Sequence, residues 1–136
     1  MIKEDYVSYE VAKLLKEKGF DEPCHYFYEY KRRLYNDMDK YFPSGMKNSD
    51  HNKEGNKGVS APTLQMAIKW LREVHDVHID ISIYVITVDI LKYNINVYYK
   101  KHKNDSMYLG IHLTKECPKY EEAVEVALKY SLENLI

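Results

Sequence analysis

Three stretches of the chain repeat apolar residues at intervals of three and four, the period of an amphipathic helix. They lie near residues 8 to 18, 62 to 76 and 119 to 134. Ser8 can cap the first stretch, and Gly19 in a left-handed conformation would end it with Phe20 folded back onto Leu15. The pattern predicts three helices, whose core-facing residues are Leu14, Leu15, Leu64, Ile68, Leu71, Val124 and Leu128.

Two other regions are typical of strands. The segment CHYFYEY, residues 24 to 30, is rich in aromatic residues that suit a pleated surface, and a second short strand is expected near residues 34 to 42. Residues 79 to 113 are dominated by Ile, Val, Tyr and Thr and are interrupted twice, which predicts a meander of three antiparallel strands. The order of elements predicts an α+β fold, in which three helices cover an antiparallel sheet of three to five strands.

The segment 43–60 differs from its surroundings. It reads PSGMKNSDHNKEGNKGVS, with three glycines, many small polar residues and almost nothing to bury. A loop of this length and composition is expected to be mobile. We therefore predict a single domain, residues 1–136, with a long polar and mobile loop at 43–60.

Composition narrows the classes of function. Twenty Lys and Arg residues against 21 Asp and Glu give no overall attraction to nucleic acid or to an acidic membrane. No window approaches the roughly 18 apolar residues that cross a bilayer, and MIKEDYVSYEVAKLL lacks the pattern of a signal peptide. A cytoplasmic location without membrane binding is expected. Cys24 and Cys117 form no paired motif, and we expect buried free thiols.

A metal or catalytic site has little support in the sequence. His75, Asp76 and His78 in HDVH could begin a metal site with His112 or His25, but the spacing is more typical of histidines at a helix end. Cys117 with His112, or Cys24 with His25, could be imagined as a thiol and its base. No motif of a hydrolase, nucleotide-binding loop or dinucleotide site occurs. The prediction is a non-enzymatic protein without catalytic residues, metal or cofactor.

Two classes of function remain open. Fourteen tyrosines favour a protein-interaction module that covers an unknown protein partner, or a second copy of itself as a homodimer. The alternative is a single-stranded nucleic-acid-binding protein, in which tyrosines stack on bases and neighbouring basic residues meet phosphates. The surface for that alternative, or for interaction generally, would be Tyr26, Tyr28, Tyr30, Lys31, Arg32, Arg33, Tyr98, Tyr99, Lys100, Lys101 and Lys103.

The choice between protein interaction and nucleic-acid binding depends partly on which face of the first predicted strand points inward. In an extended chain Tyr26, Tyr28 and Tyr30 project to one face, and Phe27 is the strong apolar residue of the other. Phe27 alone is too little to hold the strand, so we predict a largely inward tyrosine face with hydroxyls at the rim. Residues 31–33 are then expected in solvent at a turn.

Three blocks of the chain carry a resemblance to known sequences. They are YVSYEVAKLLKEKGFDEPC, SAPTLQMAIKWLREVH and YEEAVEVALKYSLENLI, which cover the two ends and the middle helix. The blocks resemble a family of small uncharacterised proteins from phage and mobile-element regions of gut anaerobe genomes. The resemblance implies a shared fold and an accessory or regulatory role, and it brings no catalytic residue. Lys119 departs from it, because a small helix-capping residue is expected there.

Overall fold

The computed structural model of the chain describes residues 1–29, 33–35, 43–51 and 58–136, without the side chain of Arg33. It divides into two compact units, Met1–Met66 and Ala67–Ile136. This division does not test the predicted single domain, which stays a prediction. In the described part of the chain, every helix is too short or too polar to cross a membrane.

The three predicted helices are confirmed, and their bounds differ from those expected by at most two residues. The helices are α1 (Tyr9–Glu17), α2 (Asn48–His51), α3 (Leu64–His75) and α4 (Tyr120–Asn134). The strands are β1 (Phe27–Glu29), β2 (Arg33–Tyr35), β3 (Val59–Ser60), β4 (His78–Thr87), β5 (Ile90–Tyr99) and β6 (Leu109–Cys117). Lys119 is the N-cap residue of α4 and makes no side-chain capping hydrogen bond.

In the first unit, α1 begins and ends as its sequence predicts. Ser8 accepts a hydrogen bond from the amide of Val11. At the other end Gly19 has a φ of 91°, and the amide of Phe20 donates to the carbonyl of Leu15 at 2.9 Å. This is a Schellman ending, and both Phe20 and Leu15 are buried. The three short strands form an antiparallel sheet in the order β2-β1-β3.

The described parts of 43–60 are anchored to the first unit. Met46 and Cys24 exchange two backbone hydrogen bonds of 2.8 Å each. Asn48 is buried, where it donates to the carbonyl of Phe20 at 2.7 Å and accepts from the amide of Ser60 at 2.8 Å. The segment was expected to contain almost nothing to bury, and this is wrong for Asn48. Its side-chain amide is buried and hydrogen-bonded to Phe20 and to Ser60. Residues 52–57 lie outside the described residues, and the predicted mobility is not tested.

The second unit contains the predicted meander. Its strands are antiparallel in the order β4-β5-β6, with Ile79 opposite Val97 and Val97 opposite Ile111. Successive residues of a strand point to opposite faces, so the odd-numbered residues of β5 share one face. That face packs on α4: Ile95 and Val97 are fully buried, and the rings of Tyr93 and Tyr120 meet edge to face at 5.8 Å.

The α+β class is confirmed, and the strands form two antiparallel sheets rather than one. A single sheet would need pairing between the two groups of strands, which sequence patterns do not specify. The predicted core is buried at Leu15, Leu64, Ile68, Leu71, Val124 and Leu128. Leu14 is the exception, since it is only half-buried.

Candidate functional site

The second unit presents an open polar face. The even-numbered residues of β5 point away from α4, and the register aligns them in rows across the sheet. One row is His78, Tyr98 and Gly110, and the next is Asp80, Asn96 and His112. Side chains of this face are half-buried or exposed, and the His112 ring meets the Asn96 amide oxygen at 3.1 Å. The face offers aromatic rings at one end and hydrogen-bonding groups along its length.

Asp76 is the centre of a hydrogen-bonded cluster at the aromatic end. Its Oδ1 accepts from His78 Nε2 and from the Tyr108 hydroxyl, both at 2.7 Å. Lys100 Nζ lies 3.6 Å from Asp76 Oδ2 and 4.8 Å from the centroid of the Tyr108 ring. The rings of His78 and Tyr108 are perpendicular, with centroids 5.3 Å apart. We call Asp76, His78, Tyr98, Lys100 and Tyr108 the Asp76 cluster.

The backbone places Asp76 in this position at some cost. Asp76 follows α3 with a φ of 55°, and the amide of Val77 donates to the Leu71 carbonyl at 3.1 Å. In the described residues it is the one non-glycine residue with positive φ. Aspartate tolerates the left-handed region better than most residues, and such conformations concentrate at binding sites. The helix end therefore turns the carboxylate towards the row that β4 begins.

Protonation is fixed by the same contacts. The hydrogen bond from Tyr108, followed by that from His78, lowers the pKa of Asp76. The same bond to Asp76 raises the pKa of Tyr108. Asp76 is therefore ionised and Tyr108 protonated at neutral pH. The cluster is a set of oriented donors around one carboxylate.

The structure separates the histidines of the HDVH segment. His75 ends α3 with its ring against Trp70, at a centroid distance of 4.7 Å, whereas His78 begins β4 and binds Asp76. Within residues 1–29, 33–35, 43–51 and 58–136, no group of three His, Cys, Asp or Glu side chains could hold a metal ion.

Both cysteines are buried free thiols in the structure, as expected. Burial, followed by the charge of Glu22, raises the pKa of Cys24 to about 12. Burial also raises the pKa of Cys117. His25 is exposed beside buried Cys24, and His112 faces away from the side on which Cys117 is buried. Neither imagined pair provides a thiolate at neutral pH.

The residues of the aromatic and basic surface have different positions. Tyr98 and Lys100 belong to the Asp76 cluster, Tyr99 points to the other face and is half-buried, and Lys101 and Lys103 are exposed in the turn after β5. Tyr26 and Tyr28 are half-buried in the first unit. Tyr30, Lys31, Arg32 and the Arg33 side chain lie outside the described residues.

The contacts of Tyr26 and Tyr28 leave little of their faces for stacking. The Tyr28 hydroxyl donates to the Val7 carbonyl at 2.7 Å, and its ring meets Tyr9 edge to face at 5.7 Å. The Tyr26 ring lies 4.3 Å from that of Tyr6. Phe27 is buried on the opposite side, so both faces of β1 are covered. The tyrosine face was predicted to be largely inward. The rings that cover it, Tyr6 and Tyr9, belong to the amino-terminal segment and were not part of that prediction.

A second surface lies at the turn between β4 and β5. We call residues 83–91 the hairpin tip. Seven apolar side chains are exposed there, among them Ile83 at 63%, Val85 at 64% and Val88 at 100%; the others are Tyr84, Ile86, Ile90 and Leu91. Asp89 is its one charged residue. Ile83 and Val85 continue the face on which α4 packs, but they remain open to solvent.

Sequence reasoning missed three members of the Asp76 cluster. It found Tyr98 and Lys100 but placed Asp76 and His78 in a metal hypothesis and did not single out Tyr108. Two signals were present in the sequence: Asp76 follows a helix end, and Tyr108 precedes the third strand of the meander. Joining them needs the strand register, which a sequence pattern does not give.

Comparisons of the chain with protein-family models, with curated proteins and with solved structures found no match. The resemblance to the phage and mobile-element family therefore remains a prediction. The two candidate sites are the Asp76 cluster and the hairpin tip, both in the second unit.

Proposed function

We propose that this protein is a non-enzymatic interaction or regulatory protein and that the hairpin tip is its binding element. The observation that supports the proposal is the tip's set of seven exposed apolar side chains. Counting roughly 180 Å² for each full residue, the tip exposes on the order of 700 Å², divided between the two faces of the hairpin; Ile83, Val85 and Leu91 contribute about 300 Å² on the α4 side. Exposed apolar patches of a few hundred Å² are often functional.

A second copy of the chain is the partner that suits this surface best. A standard interface buries about 800 Å² on each side, roughly the apolar area of both faces of the tip together. The tip carries one charge, so two copies meet with little repulsion and bury apolar area on both sides. Two-fold symmetric dimers are the commonest oligomers, and the same patch serves both subunits. The phage or mobile-element setting of this role rests on the sequence resemblance alone.

The proposal is tested in cells with two differently tagged copies of the full chain. One copy is captured, and the second is detected with and without nuclease treatment. We expect co-capture that survives nuclease and is lost when Ile83 and Val85 are both changed to lysine. Val74→Lys is the matched control, because Val74 is also an exposed valine but lies on α3. Co-capture that depends on nucleic acid, or that the tip variant retains, would contradict the proposal.

A further inference from the structure

Three members of the Asp76 cluster border a shallow, open depression that the proposed function does not use. It has a volume of about 380 Å³, and His78, Tyr98 and Tyr108 line it. It lies at the opposite end of β4 from the hairpin tip. Tyr98 stands across from Gly110, where an added Cβ would come within 3.0 Å of the tyrosine ring. Gly110 therefore leaves room for the Tyr98 ring in its present position.

The rings are held in place before any ligand arrives. Asp76 fixes the His78 ring and the Tyr108 hydroxyl through the same carboxylate oxygen. The left-handed backbone of Asp76 sets the position of that carboxylate. A site whose side chains are already oriented loses less conformational entropy on binding. The depression is therefore preorganised for a ligand that contacts these rings.

The charges around the depression favour a ligand with an anionic group. Lys100 balances the carboxylate of Asp76, and that carboxylate already accepts two hydrogen bonds. Lys101 and Lys103 extend the positive charge along the turn after β5. Asp105 holds this turn by accepting from the amide of His102 at 2.9 Å. Lys100, Lys101 and Lys103 outnumber the carboxylates of Asp76 and Asp105 by one, which leaves a small local positive surplus.

We infer that the depression binds a nucleobase, with its phosphate at Lys100 and the lysines of the following turn. Aromatic faces stack on any base, and lysine ammonium groups meet phosphate as point charges. The ligand is thus a nucleotide, either free or as part of a single strand. This site lies apart from the hairpin tip and does not depend on the proposed self-association.

The first test is a titration of the isotopically labelled protein followed by NMR. The probes are uridine monophosphate, ribose 5-phosphate as a partner without a base, and an oligomer of eight deoxythymidines. We expect the ring resonances of His78, Tyr98 and Tyr108 to shift with the nucleotide and much less with ribose 5-phosphate. Saturation by the free nucleotide assigns the site to a small molecule, whereas at least about tenfold tighter binding of the oligomer assigns it to a single strand. Unchanged ring resonances at millimolar concentrations of both base-containing probes would overturn the inference.

Variants then separate stacking from general attraction. Tyr98→Ala should weaken binding of the preferred probe by at least about tenfold. Lys100→Gln should weaken it and flatten its dependence on salt. Tyr130→Ala is the control, because Tyr130 is half-buried on α4, which packs on the opposite face of the sheet, and the change should leave mononucleotide affinity unchanged. Equal losses in Tyr98→Ala and Tyr130→Ala would overturn the inference, and the titration of the unchanged protein decides it if Tyr98→Ala fails to fold.

Discussion

Helix α3 offers a direct test of which of its residues are buried, because two neighbouring apolar residues have opposite environments. Leu71 is 0% exposed and Val74 is 58% exposed, although the sequence pattern places both on one stripe. Leu71→Ala removes three carbons from a closed core. At about 0.8 kcal/mol for each buried carbon the transfer term alone is roughly 2.4 kcal/mol, and the cavity left behind raises the total to about 2–5 kcal/mol.

The matched change Val74→Ala should have almost no effect on the free energy of unfolding. More than half of the valine is already in water, and alanine has the higher helix propensity. We expect a difference within about 0.5 kcal/mol of zero. The measurement is urea unfolding of the three proteins, compared at equal slopes. A loss below about 1 kcal/mol for Leu71→Ala, or equal losses for the two variants, would refute the buried position of Leu71.

Three further predictions follow from individual contacts. Gly45→Ala should lower the free energy of unfolding by more than about 2 kcal/mol in urea melts, because Gly45 has a φ of 87° and a Cβ would come within 2.9 Å of the Cys24 backbone. Burial lowers the pKa of His51 below its ordinary 6.5, so the unfolded chain binds more protons than the folded chain when the pH falls below that value. The free energy of unfolding should therefore decrease from pH 7 to pH 5 more in the natural protein than in His51→Leu. Equal pH profiles of the two proteins would exclude a lowered pKa of His51. Asp76→Asn should lower the pKa of Tyr108 towards 10.0 in an NMR titration, and an unchanged value would show that the carboxylate is not its acceptor.

Local features of this fold could be predicted from the sequence. The helices and the end of α1 at Gly19 depend on residues within a few positions of one another. The meander was predictable for the same reason, since its turns interrupt runs of strand-forming residues. The short helix α2 was not predicted. Its residue Asn48 is held by hydrogen bonds to the distant Phe20 carbonyl and Ser60 amide, which the polar composition of the segment does not reveal.

The two surfaces could not be predicted, because both depend on tertiary arrangement. The run from Ile83 to Ile86 has the composition of a buried strand, but it extends into solvent at the hairpin tip. The Asp76 cluster joins residues that are up to 32 positions apart. The sequence did indicate Tyr98 and Lys100, because a basic cluster follows an aromatic pair there, and this pattern is a local property.

The proposed function depends most on binding of a second copy of the chain at the hairpin tip. Sedimentation equilibrium of the purified protein over a range of micromolar concentrations tests this self-association directly. We predict a reversible dimer for the natural chain and for Val74→Lys, and a monomer of 16.2 kDa when Ile83 and Val85 are both lysine. A natural chain that stays monomeric throughout, or a tip variant that dimerises equally well, would contradict it.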